Sequence, residues 1–281
     1  MAPPFLTAET IAPHLAWPDV VAALDAGHGR ARAQLDDLLL QPGRDGLLNR
    51  AAHVPGLGFG MKTVTVFPDN PGRTPPLPSV QGVFVLFDGD TGAVRALVDG
   101  GAITGWKTAA DSVLGARYLA RADSRELLVV GAGAVARNLI PAYRALFPDL
   151  ERVRIVSRSG TSAANLAAAM TEAGHPAEAV DDLDSALATA DIVATATFAR
   201  APILRGRALR PGTHVDLVGA FAPDMREADD AVLQRGEIFC DSLASARDHI
   251  GELRIPIETG VIAQADVRGD LYDLHAGRAG R

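Results

Sequence analysis

Two hydrophobic rhythms divide this chain of 281 residues. From Phe5 to about Leu40 the apolar positions recur at helical spacing, which predicts helix with a start at Trp17-Pro18. Strand-like runs follow over Gly46 to Ala52, Phe59 to Phe67, Val80 to Phe87 and Ala93 to Val98. Turn signals separate them, Pro68-Asp69-Asn70-Pro71-Gly72 and Asp88-Gly89-Asp90-Thr91-Gly92 among them. Strands in such close succession predict an antiparallel or mixed sheet. A helix rich in small residues is then predicted over Gly101 to Ala120.

From Glu126 the rhythm becomes strand, helix, strand. Continuous apolar runs at Glu126 to Val130, Arg152 to Ser157, Asp191 to Thr195, His214 to Gly219 and Glu237 to Cys240 read as buried strands. Helical stretches lie between most of them, over Ala134 to Leu146, Thr161 to Ala173 and Leu183 to Ala190, with another at Ser242 to Leu253. Apolar strands alternating with helices predict a parallel sheet covered on both faces. Pro141 inside the first of these helices predicts a kink.

The strand Leu127-Leu128-Val129-Val130 runs straight into Gly131-Ala132-Gly133-Ala134-Val135-Ala136 at the head of a helix. This is the G-x-G-x-x-A dinucleotide fingerprint in the context it requires. Gly131 makes the turn, Gly133 lets backbone approach a pyrophosphate, and the helix N-terminus at Ala134 and Val135 faces the phosphates. The second strand ends Ser157-Arg158-Ser159, where an NAD-preferring site would carry an acid. An Arg flanked by hydroxyls suits a 2′-phosphate, so NADP(H) is the expected cofactor, with NAD(H) as the alternative. The predicted class is α/β: a Rossmann-type parallel-sheet domain over 123–267 and an N-terminal α+β domain over 1–122.

Composition narrows the function. The net charge is −7 with a pI near 5.5, and no basic patch marks a nucleic-acid partner. No apolar run reaches the roughly 18 residues that span a bilayer, and the N-terminus lacks the order of a signal peptide. The single Cys240 cannot form an internal disulfide and reads as buried and inert. No His, Cys or carboxylate spacing fits a metal, so none is expected. These features place the chain in a reducing compartment, the cytoplasm. His53 and His214, on apolar strands, read as core histidines. Of the 27 Lys and Arg residues only Lys62 and Lys107 are lysines. Both lie in apolar segments studded with Gly and Thr, where a compact charge with a movable pKa is a choice of shape. Arg50, inside a strand-like run, needs a partner or a ligand, and Arg44 competes with it.

Taken together, GFGMKTVTVFPDNP, VQGVFVLFDGDTGAVRALVDGGAIT, WKTAADSVLGARYLAR, LLVVGAGAVARNLI and HVDLVGAFAPDMREAD resemble the ornithine cyclodeaminase/mu-crystallin family. The resemblance implies that residues 1–122 bind substrate and form a homodimer, with a tail at about 268–281 returning toward them. It maps the family's strand lysine to Lys62 and the Arg of its R-T-A-A motif to Lys107. It places Thr108 near the cofactor phosphates, Thr195 and Thr197 beside the nucleotide, Val218-Gly219 near the nicotinamide, and a carboxylate-binding Arg upstream of the lysine strand. Cyclodeaminases carry Asp in G-A-D-x-P, whereas this chain reads Gly219-Ala220-Phe221-Ala222-Pro223. A phenyl ring neither holds an ammonium by charge nor moves a proton. The implied activity is therefore NADPH-dependent reduction of cyclic ketimines to proline or pipecolate, with Phe221 as an apolar wall and Lys62, Lys107 and Arg50 on the substrate carboxylate. Glu227 is expected to tie down a loop. The alternatives are an NAD-dependent cyclodeaminase, an amino-acid dehydrogenase taking an open-chain 2-oxo acid with ammonia, and a non-catalytic NADPH-dependent binder. Relatives are also expected to continue past a segment like Leu274 to Arg278 with a further strand and helix, which this sequence does not carry.

Overall fold

The computed structural model describes residues 2–281. It separates into two compact units: residues up to Ala16 together with Ala26–Lys107, and Trp17–Asp25 together with Thr108–Arg281.

The first unit is built on a six-stranded sheet. Strand β1 (Phe5–Leu6), helix α1 (Ala8–Ile11) and helix α2 (Trp17–His28) precede β2 (Gln34–Leu40), β3 (Gly46–Val54), β4 (Gly58–Val66), β5 (Val80–Phe87) and β6 (Val94–Asp99). The order is β1-β6-β5-β4-β3-β2. All neighbours are antiparallel except β1, which pairs parallel to β6. The helix expected to continue to Leu40 is thus cut short, and β2 replaces its end. Gln34 to Leu40 reads as helix because its leucines fall at i, i+3 and i+4, but every residue pairs with β3, and ladder hydrogen bonds override a weak local periodicity.

Helix α3 (Gly100–Leu119) leads into the second unit. There β7 (Glu126–Val130), α4 (Ala134–Leu146), β8 (Arg152–Val156), α5 (Gly160–Glu172), β9 (Glu178–Ala179), α6 (Leu183–Thr189), β10 (Ile192–Thr195) and β11 (His214–Leu217) alternate. The sheet is parallel throughout, in the order β11-β10-β7-β8-β9. Helix α4 is continuous across Pro141, whose neighbours Leu139, Ile140, Ala142 and Tyr143 are buried. Helices α7 (Asp230–Arg235) and α8 (Gly251–Glu258), strands β12 (Ile238–Cys240) and β13 (Val267–Asp270), and helix α9 (Leu271–His275) complete the chain. β12 pairs with β13 in a separate two-stranded sheet instead of extending the main one. The helix expected over Ser242 to Leu253 is broken: a π-type turn covers Leu243–Arg247 and α8 starts afresh at Gly251, whose amide donates to Ala222 O.

The boundary expected at residue 122 falls instead inside α3. Ala109, Val113 and Ala116 on its second half are fully buried with β7 and α4 in the parallel-sheet core. The tail groups with the same unit, where Leu271 and Leu274 pack with Val21, Ala110 and Leu114.

One carboxylate anchors the amino ends of the parallel strands. Asp191, only 4% exposed, accepts from the amides of Arg125 (2.8 Å) and Glu126 (3.0 Å) and pairs with Arg121 and Arg210. Removing it leaves two amides without their acceptor and takes one partner from each of two arginines, so Asp191→Ala should cost about 2–4 kcal/mol in urea-induced unfolding; a loss under about 1 kcal/mol would show that solvent replaces it.

Candidate active site

In the first unit the sheet register assembles a charged row. Asp37 on β2 stands opposite Arg50 on β3, and Arg50 stands opposite Lys62 on β4. Directly opposed residues share a face of the sheet. The Arg50 guanidinium meets Asp37 through two bonds, Nε to Oδ1 at 2.7 Å and Nη2 to Oδ2. The Phe84 ring lies over Gly60, where a Cβ would stand 2.6 Å from it, so apolar surface flanks Lys62 on the same face. Burial first, then the charges of Lys107 and Arg50, push the Lys62 ammonium down to about 8, with Asp37 opposing them. The structure therefore brings Lys62, Lys107 and Arg50 into one electrostatic group. Arg44 lies outside it, exposed and 3.1 Å from Asp69. The like charges of Lys107 and Arg50 acting on a buried Lys62 suit the group to an anion.

In the second unit β7 ends in the glycine turn. Gly131 has φ +124°, and a Cβ there would stand 2.4 Å from Ala196 O. Gly133 caps α4 without any side-chain bond to the first-turn amides, and nothing lies within 4 Å of where its Cβ would be. Open space, uncapped amides at Ala134 and Val135, and the positive end of a 13-residue helix fit a dinucleotide pyrophosphate. The turn also sits where strand order reverses, with β8 on one side of β7 and β10 on the other, the position at which such sheets take ligands. After β8, Ser157 Oγ donates to Ser159 O (2.6 Å), Ser159 caps α5, and Arg158 between them is exposed. Thr108 lies half-buried on α3.

The next strand ends are held by a buried carboxylate. Glu227, with 0% exposure, accepts from Thr195 Oγ1 (2.6 Å), Thr197 N (2.8 Å), Thr197 Oγ1 (2.6 Å) and Gly219 N (2.7 Å). The hydroxyls of Thr195 and Thr197 therefore turn inward, and what this strand end sets against the glycine turn is the Ala196 carbonyl and the Thr197 methyl. Val218 continues β11, its amide on Thr195 O at 3.2 Å. Glu252 on α8 in turn accepts from the amides of Glu227 (2.6 Å) and Ala228 (3.1 Å). Burial, with Glu227's charge adding to it, raises Glu252 to about 7 against the pull of those two amides.

A second acid went unread in the sequence. Asp216 on β11 accepts from Ser112 Oγ on α3 and from Tyr143 OH on α4 (3.0 Å). Burial raises it to about 6, the two hydroxyls pull it down, and Asp111 and Glu227 push it up. A lone acid between Val215 and Leu217 was its only signal; Glu252, in an apolar segment after Ile250, offered the same. The histidines and the thiol stay outside this chemistry. Burial, then the charge of Arg281, lowers His214 to about 4. Burial and then Asp241 and Asp270 push Cys240 up to about 12. His53 stacks on Phe59 with centroids 4.4 Å apart.

A parallel, doubly wound sheet with an open glycine turn at its switch point defines a nucleotide-cofactor protein of the α/β class. The profile of the Ornithine cyclodeaminase/mu-crystallin family matches residues 51–281, and the chain belongs to that family. It is 48% identical over 273 residues to a Delta(1)-pyrroline-2-carboxylate reductase of Paracoccus denitrificans, covering 97% of this chain and 86% of that relative. Among solved structures it is similar to the Thermococcus litoralis Delta(1)-pyrroline-2-carboxylate reductase in complex with NADH and L-proline, with a TM-score of 0.92 at 26% identity, covering 98% of this chain and 87% of the other. It is similar also to an archaeal alanine dehydrogenase dimer with bound NAD, with a TM-score of 0.89 at 26% identity, covering 100% and 87%.

The elevated Asp216 carboxyl has a consequence for stability. A carboxyl that titrates higher in the fold than in the unfolded chain favours folding while protonated, and that advantage fades as pH rises from about 4 through about 6. Relative to the parent, Asp216→Asn should therefore gain stability across that window and level off above it. Denaturant melts at several pH values test this; a pH-independent difference contradicts it.

Proposed function

We propose that this chain reduces cyclic ketimines, Δ1-pyrroline-2-carboxylate foremost, to L-proline, with Δ1-piperideine-2-carboxylate giving L-pipecolate as a second reaction. The chain is an oxidoreductase acting on a carbon–nitrogen double bond. The observation that carries the choice of substrate is the Lys62–Lys107–Arg50 group: three cations acting on one another in a chain whose net charge is −7. Such a group attracts a small anion, and a cyclic imino acid brings one carboxylate. The unit built on the six-stranded sheet supplies substrate binding and a homodimer contact, and the exposed Leu35, Leu38, Leu39 and Leu40 on β2 support the latter.

The nicotinamide, when bound, supplies the hydride. Lys107 and Arg50 draw in the substrate carboxylate by charge, the Nε–Nη2 edge of Arg50 being held by Asp37. Lys62, at about 8, is mostly an ammonium at neutral pH and exchanges its proton readily. It shares the carboxylate and keeps the ring nitrogen protonated, which makes the C=N carbon electrophilic. Phe221 gives the ring an apolar surface and, having no acid, no route to ornithine deamination. On the nucleotide, the amides of Ala134 and Val135 and the openness at Gly133 take the pyrophosphate. The Ala196 carbonyl and Thr197 methyl beside the turn, with Thr195 behind them, Val218, and Thr108 on α3, complete the site. Arg158, exposed between Ser157 and Ser159, reads a 2′-phosphate, so NADPH is preferred to NADH.

Consumption of NADPH and NADH with Δ1-pyrroline-2-carboxylate tests the reading. The parent should turn over, and kcat/KM should fall as pH rises through about 8, where Lys62 loses its charge. Lys62→Met should lower kcat/KM by at least about a hundredfold while the dinucleotide Kd stays within about threefold; retention of turnover would remove Lys62 from the chemistry. Arg158→Ala should lower the NADPH-to-NADH ratio of kcat/KM by about tenfold or more, and an unchanged ratio would refute the 2′-phosphate role.

A further inference from the structure

Two phenyl rings stand at the carboxyl ends of β10 and β11, where a parallel sheet of this kind takes its ligand. Phe198 lies three residues past the end of β10 and Phe221 four past the end of β11. They meet edge to face, centroids 6.1 Å apart at 89°. Phe198 is 56% exposed, an unusual display for a large apolar ring.

Neither ring hangs on a loose loop. Arg200, two residues past Phe198, pairs with Asp224, three past Phe221. The amide of Arg226 bonds Ala199 O at 3.1 Å. Glu227 fixes Thr197, the residue before Phe198, and Gly219, two before Phe221. The two loops are so close that a Cβ on Gly219 would stand 2.2 Å from Thr197 O. The same strand end reaches the nucleotide turn, since Ala196 O lies against Gly131. An exposed aromatic edge is thus held rigidly beside the place that takes the cofactor.

Resting on the ketimine reading, we infer that Phe198, braced by Phe221, is a specificity-determining residue: the pair forms an apolar wall that selects substrates by the methylene groups of their ring. Each methylene buried against such a surface is worth about fourfold in affinity. A side-chain ammonium or second carboxylate placed there loses water and finds no partner, so diamino and dicarboxylic substrates are turned away. A short open-chain amino acid such as alanine gains little from the wall.

The test uses the full-length chain and its Phe198→Ala and Phe198→Leu variants. KM for Δ1-pyrroline-2-carboxylate is measured beside the dinucleotide KM, and Kd for L-proline and L-alanine is measured with NAD+ or NADP+ bound. Phe198→Ala should raise the ketimine KM and the proline Kd about tenfold, with alanine binding and dinucleotide KM changed less than about threefold. Phe198→Leu should recover most of the loss. Unchanged ketimine KM and proline Kd would overturn the wall, as would equal losses for proline, alanine and dinucleotide, the mark of a merely structural role. A parent chain that binds proline but turns over no ketimine contradicts the reductase reading while the proline series still judges the wall. A parent that does neither overturns both.

Discussion

Like charges held close on a half-buried sheet face are what the functional account depends on. The register of β2, β3 and β4 sets Asp37, Arg50 and Lys62 in a row, and Lys107 adds its charge from α3. Asp37 answers Arg50 with a two-point pair, and its pull on Lys62 does not cancel the lowering by burial, Lys107 and Arg50. Repulsion and burial together bring Lys62 into the range where an amine is both a cation for binding and a usable acid. Arginine in its place would hold its charge at any accessible pH and lose the second property.

The parallel-sheet unit solves a different problem, that of keeping loops rigid at open strand ends. It does so with buried carboxylates set beside apolar packing. Asp191 gathers the amino ends of the strands, and Glu227 gathers the carboxyl ends of β10 and β11. Glu252 supports Glu227 from α8 through two amides. Each acid takes several N–H or O–H donors, which offsets the cost of removing it from water. The consequence is a nucleotide turn and two phenylalanine loops that need little ordering when ligand arrives.

What could be read from the sequence was what is local. The run LLVV followed by Gly131, Gly133 and Ala136 identifies strand, turn and helix within a dozen residues, and β7 and α4 lie where the pattern puts them. The two lysines stood out because the chain otherwise uses arginine. Non-local structure was not legible. Gln34 to Leu40 carries a helical leucine spacing and becomes a strand only through its partner β3. The break at Asp248 to Ile250 follows from the Gly251 amide reaching Ala222 O, 29 residues away in sequence. The family resemblance sets Thr195 and Thr197 beside the nucleotide, and nothing near them announced that their hydroxyls bond Glu227, 32 and 30 residues on.

The scarcity of lysine makes the central claim directly measurable. In protein labelled with 15N at the lysine side chain, only Lys62 and Lys107 contribute ζ resonances, so each ammonium can be titrated alone, with oxidised dinucleotide present and L-proline added or withheld. One resonance should titrate near 8 without proline and move upward when the carboxylate binds, and Lys62→Met should remove it. Two resonances that both titrate near the ordinary lysine value of about 10.4, indifferent to proline, would contradict the account.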